Sequence, residues 1–565
     1  MKTKFTLFFL SVSIFAMIFV YLKVNEDKEL NIPVKAGMKV IKCTTTKFLL
    51  DDIDSTKQVA PLFANLGNHE FKIQTKVPEA QIFFNQGLNL AFAFNHAESH
   101  RSFLEASRLD PTSAMCYWGQ AYVLGPNIND QLPDTERKEK AFEAIQKSMK
   151  LSSTSSDKEK ALIRALSKRY SADTLADIKQ LNMDYMKAME KVAKTYENDA
   201  DVLTLYAAAI MNTVPWDYWD EKGNPSPNIK EAKMALEKAT LLNPNHPGAN
   251  HYYIHMVELP KPDLAVPSAE KLASLMPGAG HMVHMPGHIY MRVGRYKEAV
   301  EANQAAILVD EDYISQCYSQ GQYPLGYYPH NIHFLWSAAS MMGNGELAIE
   351  AAKKTAEKVS VSNLKEARFF QNFAATPLLA YMRFGKWNDI LTTPDPGNDY
   401  TYLKMIWHYA RGIAFVRKDN AKEAEEELQA LAARDKELEH ENIAKVAYEV
   451  LSGEIAALKG NLPASIDHLE LAVKYEDELP YDEPAVWYIP TRQSLGAVLL
   501  KAQKYEEAEK VYLQDLEYYR QNGWSLMGLY QSLLQQEKLE EAQKVKDQFD
   551  IAWKNADIEI TTSIL

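Results

Sequence analysis

The chain reads as an all-α protein, a curved solenoid of helix–turn–helix repeats behind one N-terminal transmembrane helix. Three observations predict it: small, aromatic and proline residues recur every 33 or 34 positions along much of the sequence, an uncharged apolar run stands at its start, and no strand–Gly-loop–helix unit appears. At 46% hydrophobic and 24% charged residues, the 565-residue chain has an ordinary globular composition and can bury a large core. Its 62 Lys+Arg against 75 Asp+Glu give a net charge of −13, which argues against a nucleic-acid partner held by phosphate neutralisation. Cys43, Cys116 and Cys317 are too few and too scattered for a disulfide framework, a thiolate zinc site or an iron–sulfur centre.

The first element is the apolar run. Lys2 and Lys4 precede uncharged residues 5–22, about 27 Å as a helix against a hydrocarbon core of about 30 Å. Small residues suited to signal cleavage, around Ser11, Ser13 and Ala16, lie in mid-run. Residues 1–30 are therefore expected to be an uncleaved membrane anchor, the alternative being a signal peptide whose removal releases the chain to the periplasm. The positive-inside rule then predicts a single-pass protein of the cell membrane with its bulk on the extracytoplasmic, periplasmic side. Cys43 follows Lys42 and so lacks a bacterial lipobox. Residues 31–75 read as a stalk or poorly structured lead-in.

The repeats follow. From Ala80, the residues Phe83, Gly87, Leu90, Phe103, Ala106 and Pro111 match the aromatic, glycine, apolar, aromatic, alanine and proline positions of a 34-residue unit that resembles a tetratricopeptide repeat. The same register places repeat starts near 80, 112, 213, 247, 280, 329, 371, 405, 446, 489 and 523. The solenoid is expected over 76–560, with insertions near 125–135, 156–196, 216–227 and 311–328. Its concave face would be lined by the first helix of each unit, and such arrays usually serve as binding surfaces.

Longer segments carry a further resemblance. Phe94-Asn95-His96-Ala97-Glu98, Cys116-Tyr117-Trp118-Gly119, Gly125-Pro126-Asn127-Ile128-Asn129, His284-Met285-Pro286-Gly287-His288, Tyr328-Pro329-His330-Asn331 and Asn522-Gly523-Trp524-Ser525-Leu526 are similar to a widespread, largely uncharacterised bacterial tetratricopeptide family. That resemblance covers nearly all of 65–560 and implies a fold, not an activity.

Histidine is the chemical signal. Fourteen histidines spread evenly would leave about two between His251 and His333, and seven stand there. The register, fixed by glycine and alanine positions, puts His251 and His255 at positions 5 and 9 of one first helix, with Glu258 at 12. His281, His284 and His288 fall at 2, 5 and 9 of the next, and His330 and His333 at 2 and 5 of the third. Positions three and four apart share a helix face, so three stripes are expected to converge in the groove. Imidazoles with one carboxylate and no thiolate suit Cu, Zn or Fe, in one centre or two. The plainer alternative is a polar, hydrogen-bonded groove. Pro286, at position 7, fits only a first helical turn, which puts the helical placement of His281 and His284 in question.

Other residues are weaker candidates. Arg292, at position 13, is expected either to hold an anionic ligand or to pair with Glu258. Trp336, Trp487, Tyr488 and Arg492 are candidate groove residues, and Trp216, Tyr218 and Trp219 either stack on a partner or cover a helix. Met282 and Met285 either assist Cu(I) or sit in the core. The leading functional expectation is a membrane-tethered extracytoplasmic scaffold that binds a protein, peptide or glycan, with a groove able to hold a transition metal. The alternative is a metal-dependent enzyme using the His/Glu cluster, with accessory roles in metal handling or polysaccharide utilisation as minor readings. No residue is assigned a catalytic role.

Overall fold

Successive helical hairpins run from Pro78 to Ala552 in the computed structural model, which describes residues 57–220, 223–316, 323–366, 368–435 and 441–565. Eight hairpin turns repeat one backbone device. Fourteen residues after an expected repeat start, Phe94, Gly294, Gly343, Gly385, Asp419, Gly460, Gln503 and Glu537 adopt φ between 58° and 80°. The residue after each donates its N–H to the carbonyl five residues back, as Asn95 does to Leu90 and Asn461 to Ala456. This left-handed closure satisfies carbonyls left open at the end of the first helix and reverses the chain into the second. Its recurrence supports the register of these eight units independently of side chains.

Packing within hairpins follows the small-against-aromatic pattern. A Cβ on Gly87 would stand 2.8 Å from the Phe103 ring, so only glycine lets the helices Pro78–Phe92 and His96–Leu109 approach as they do. One unit is misplaced by the sequence: the repeat expected at 213 begins with Ala200–Met211, and its second helix, Ile229–Leu242, follows only after the insertion near 216–227. Among the described residues there is no strand, only isolated bridges between Asn127 and Asp130 and between Trp219 and Pro225.

Residues 57–75 are not the poorly structured stalk expected. Phe71 and Ile73 are buried, and the N–H groups of Phe63, Phe71 and Ile73 donate to Gln86, Asn85 and Gln81 of the first helix. Those side chains supply the acceptors that an extended backbone lacks when it is laid on a helix. The expected anchor at 1–30 lies outside the described residues; among those described, no helix is long and apolar enough to cross a membrane.

The solenoid turns back on itself. Tyr296 donates to the Arg520 carbonyl at 2.8 Å, Trp524 to the Ser340 carbonyl at 3.0 Å, and Asn372 to the Tyr488 hydroxyl at 2.7 Å. The late repeats thus return to the histidine-bearing ones.

Candidate metal centre

Three consecutive first helices carry the histidines. Pro247–Val257 starts with Pro247 in its first turn and holds His251 and His255, with Glu258 as its C-cap. Gly280–His284 continues through Met285, whose φ of −53° and ψ of −34° are helical, into Pro286–Arg292. Pro286 removes one donor, but the Met285 N–H still reaches the His281 carbonyl at 3.0 Å, so His281 and His284 stay helical and the stripe is intact. Tyr328–Met342 holds His330 and His333.

The side chains gather across helices. His251 and His255 meet His281, and His284 and His288 meet His330; in each triad one ligand atom per residue lies within 4.8 Å of the others. Each triad therefore joins positions 5 and 9 of one repeat to position 2 of the next, the same construction made twice. A phenylalanine backs each: Phe94 has ring centroids 4.7, 5.8 and 5.4 Å from His251, His255 and His281. Phe334 stands 4.9, 4.8 and 5.7 Å from His284, His288 and His330. His333 belongs to neither triad; it stacks on Trp336 at 5.1 Å and contacts Phe373 and Tyr488. It occupies position 5 of a third copy whose other places are taken by Ser337 and Asn372.

Neighbouring acceptors assign the tautomers. His251 Nδ1 lies 2.6 Å from the Phe92 carbonyl, and His284 Nδ1 lies 2.7 Å from Asn303 Oδ1, whose amide is oriented by donation to the Ala299 carbonyl. Both Nδ1 atoms must carry the proton, leaving lone pairs on Nε2. Glu258 does the same for the other two, with Oε1 3.4 Å from His255 Nδ1 and Oε2 2.9 Å from His288 Nδ1, the latter off the hydrogen-bond line. A bare lone pair facing a carboxylate at these distances is unfavourable, so protons belong there too. Yet the Nε2 atoms of His251 and His255 are 3.1 Å apart, and those of His284 and His288 2.9 Å.

Each pair thus needs positive charge between its nitrogens, either a proton or a metal ion. A metal bound at about 2.05 Å to nitrogens roughly 3 Å apart subtends roughly 90–100°, an ordinary coordination angle. Burial, with neighbouring imidazoles, holds His251, His281, His284 and His330 well below the usual histidine range and so keeps them neutral. Burial opposes charge on His288 as well, but the Glu258 carboxylate beside it raises that imidazole, which favours a proton in that pair when metal is absent. Burial alone would raise Glu258; His288 and His255 hold it well below the usual carboxylate range. His281 decides against protons alone, because both its ring nitrogens are buried without a hydrogen-bond partner. Glu258, expected as a ligand, instead stands behind the histidines and orients one from each triad.

Both triads open on one cavity of about 590 Å³, the first through His255 and His281, the second through His288 and His330. Three insertions furnish its walls: Ile128, Asn129 and Gln131 from the first, Trp216 from the third, Gly326 and Tyr327 from the fourth. Phe369, Phe370, Tyr481, Asp482 and Glu483 complete it. Partial desolvation raises the Asp482 carboxyl to about 6, although its side chain still reaches solvent; burial, partly offset by Arg292, raises Glu483 to about 7. A metal ion held by three imidazoles would keep an open position toward this space, where it can polarise or exchange a small ligand.

The remaining candidates lie elsewhere. Arg292 pairs with neither an anionic pocket nor the Glu258 carboxylate; it donates to the carbonyls of Glu258 and Leu259 and faces Glu483 at 3.9 Å. Trp336 and Tyr488 pack on each other at 4.6 Å, Trp487 packs on Tyr409 at 5.1 Å, and Arg492 makes a two-pronged pair with Asp477 at 2.7 Å. None lines the cavity. Met282 and Met285 are core residues. Of the tryptophan loop, Trp216 reaches the cavity and meets His255 edge-on at 5.2 Å, whereas Tyr218 is buried and Trp219 donates to the Met256 carbonyl.

A further cluster, His69, Asp201 and His246, has metal-like spacing. His246 Nδ1 accepts the Ala249 N–H at 3.1 Å, so its Nε2 carries the proton and donates to Asp201 Oδ1 at 3.1 Å, beside His69 Nε2 at 2.9 Å. No lone pair on His246 is left for a metal. Burial would raise Asp201, but hydrogen bonds from His246 and His69 hold it well below the usual range. Asp201→Asn is expected to cost about 2 kcal/mol in denaturant unfolding and to leave metal content unchanged. The wild-type contribution is complete above the ordinary Asp value of about 3.9 and is lost as pH falls toward the depressed native value.

Sequence reasoning missed Tyr481–Glu483, Asn303 and the Phe92 carbonyl, none of which carries a local signal. No protein-family model matches the chain, so the bacterial family resemblance stands without a matching model. No curated protein matches it either. Among solved structures, the human IFIT1 dimer with m7Gppp-AAAA is 13% identical, with a TM-score of 0.32 over 77% of this chain and 89% of that one. The APC/C hetero-tetramer Cut9–Hcn1 is 11% identical, with a TM-score of 0.28 over 85% of this chain and 88% of that one. Likenesses this distant leave the fold resting on the hairpins and turns themselves and carry no functional argument.

Proposed function

We propose that this chain is a transition-metal protein on a helical-repeat scaffold, with metal held by the two histidine triads beside a cavity that admits a small-molecule ligand. The observation that carries this reading is the paired Nε2 lone pairs, at 3.1 and 2.9 Å, in the same clusters as an unpartnered His281. The cavity volume suits a small molecule better than a folded partner. Its acidic residues and the open metal positions favour a metal-dependent reaction over passive storage. A protein, peptide or glycan on the outer faces of the repeats is the second reading, favoured by the repeat architecture itself.

Elemental analysis of the purified full chain, prepared without chelator or polyhistidine tag, tests the proposal. Near-stoichiometric Cu, Zn or Fe is expected; a chain that stays metal-free after incubation with each would leave only the scaffold. The proposal includes an extracytoplasmic, tethered location, supported by the uncharged run at 5–22. The chain is expected to fractionate with membranes until residues 1–30 are removed; a shortened wild-type chain recovered from the periplasm would show instead that a signal peptide had been cleaved.

A further inference from the structure

We infer that the two triads form one coupled dicopper centre whose shared ligand is dioxygen, an inference that rests on the metal reading above. The first ground is duplication: two sites with the same ligand positions, the same i,i+4 pair and the same phenylalanine backing lie side by side. Ring centroids of different triads are 6.0 Å apart for His255 and His288 and 5.9 Å for His281 and His284. An imidazole places its metal roughly 3 Å from the ring centroid, so two bound ions share one small space. Glu258 ties them, one oxygen to each triad.

The second ground is charge. Six imidazoles bring no negative charge, and Glu258 is the only carboxylate ion-paired with them among the described residues. Buried uncompensated charge is costly, which favours monovalent over divalent ions in the resting site. Imidazole without thiolate or carboxylate oxygen suits copper and disfavours Mg, Ca or Mn.

The third ground is access. Three nitrogens leave each ion at least one open position, and both triads face the same cavity through His255, His281, His288 and His330. A ligand one or two atoms long suits a pair held this close. Dioxygen fits both the span and the electron count: its uptake takes one electron from each copper(I), leaving two copper(II) ions and the two-electron-reduced dioxygen between them. No proton or further reductant enters that step.

The test uses the full chain in detergent, loaded with copper(I) without air and then titrated with dioxygen. Expected are two coppers per chain, uptake of one dioxygen per two coppers, and a copper(II) EPR intensity far below two spins because the pair is coupled. His281→Ala and His330→Ala, one third ligand from each triad, are each expected to hold one copper, to show about one uncoupled spin when loaded with copper(II) instead, and to lose dioxygen uptake by the copper(I) form at least ~10-fold. Should either alter the far-UV circular dichroism, the glutamine variants at the same positions replace them with the same readouts. One copper per chain, two coppers with full two-spin intensity, or loading by zinc or iron but not copper would each overturn the dicopper centre while leaving a metal protein. Failure of every metal to bind would overturn the metal reading itself.

Discussion

Replacing His255 and His288 together by alanine is expected to abolish metal binding while leaving the helical circular dichroism nearly unchanged. Each substitution removes one of three nitrogens from a different triad, so neither site survives intact. Loss of a residue that merely orients a ligand typically costs 10–100-fold in metal affinity, and loss of the ligand itself costs more, so the double variant should fall beyond ~100-fold. The backbone has little reason to respond. Both histidines face the cavity, and their helices are held by the hairpin turns and by core residues such as Ile254, Met256 and Ile289. The one structural cost falls on Glu258, which loses both imidazole partners while remaining buried. A carboxylate left that way takes up a proton, and the expected stability loss is about 1–3 kcal/mol. Global unfolding of the variant would make the histidines structural; retained stoichiometric metal would place the site elsewhere. Asp201→Asn is the matched comparison, since it removes a half-buried carboxylate partner of two histidines outside the triads.

The contrast between what the sequence carried and what it did not has a physical basis. Hairpin register was legible because the left-handed turn and the close helix approach impose residue types locally, as at Gly294, Gly343 and Gly87. The histidine stripes followed from that register. Their division into two triads did not, because positions 5 and 9 of one repeat meet position 2 of the next, and the rotation between repeats is not written in either repeat alone. His333 was grouped with the others for the same reason. Residues Tyr481–Glu483 reach the cavity only because the solenoid turns back after some two hundred residues, as the Tyr296 contact with Arg520 shows. Trp487 and Arg492, a few positions further on, were consequently misassigned to the groove. Glu258 carried the right chemistry in the wrong place: its i+7 spacing from His251 suggested a shared face, but as the C-cap residue it lies behind the rings, accepting from His255 Nδ1 and facing His288 Nδ1.

Gly280→Ala is expected to disturb both triads although Gly280 touches neither cavity nor metal site. A Cβ at this first residue of the helix Gly280–His284 would collide with Asp310 Oδ1. Asp310 cannot easily yield, since it is fully buried and accepts from the Tyr323 hydroxyl at 2.7 Å and from Asn331 Nδ2 at 2.7 Å. That tyrosine hydroxyl also accepts the His281 N–H at 3.2 Å, and Asn331 is the neighbour of His330. Asp310 therefore fixes the backbone of the third histidine of each triad. Adding a methyl group must either push the carboxylate off its donors or shift the helix that presents His281. Overpacking of this kind typically costs 1–3 kcal/mol, and loosening two metal-facing residues should weaken metal binding about 10–100-fold. Asp310→Ala removes the obstruction, so the double variant should be less impaired in metal affinity than the two single effects combined predict, the signature of a direct contact in a double-mutant cycle. Simple additivity, or a Gly280→Ala chain that binds metal as tightly as the wild type, would mean that the third histidines are positioned by something other than this network.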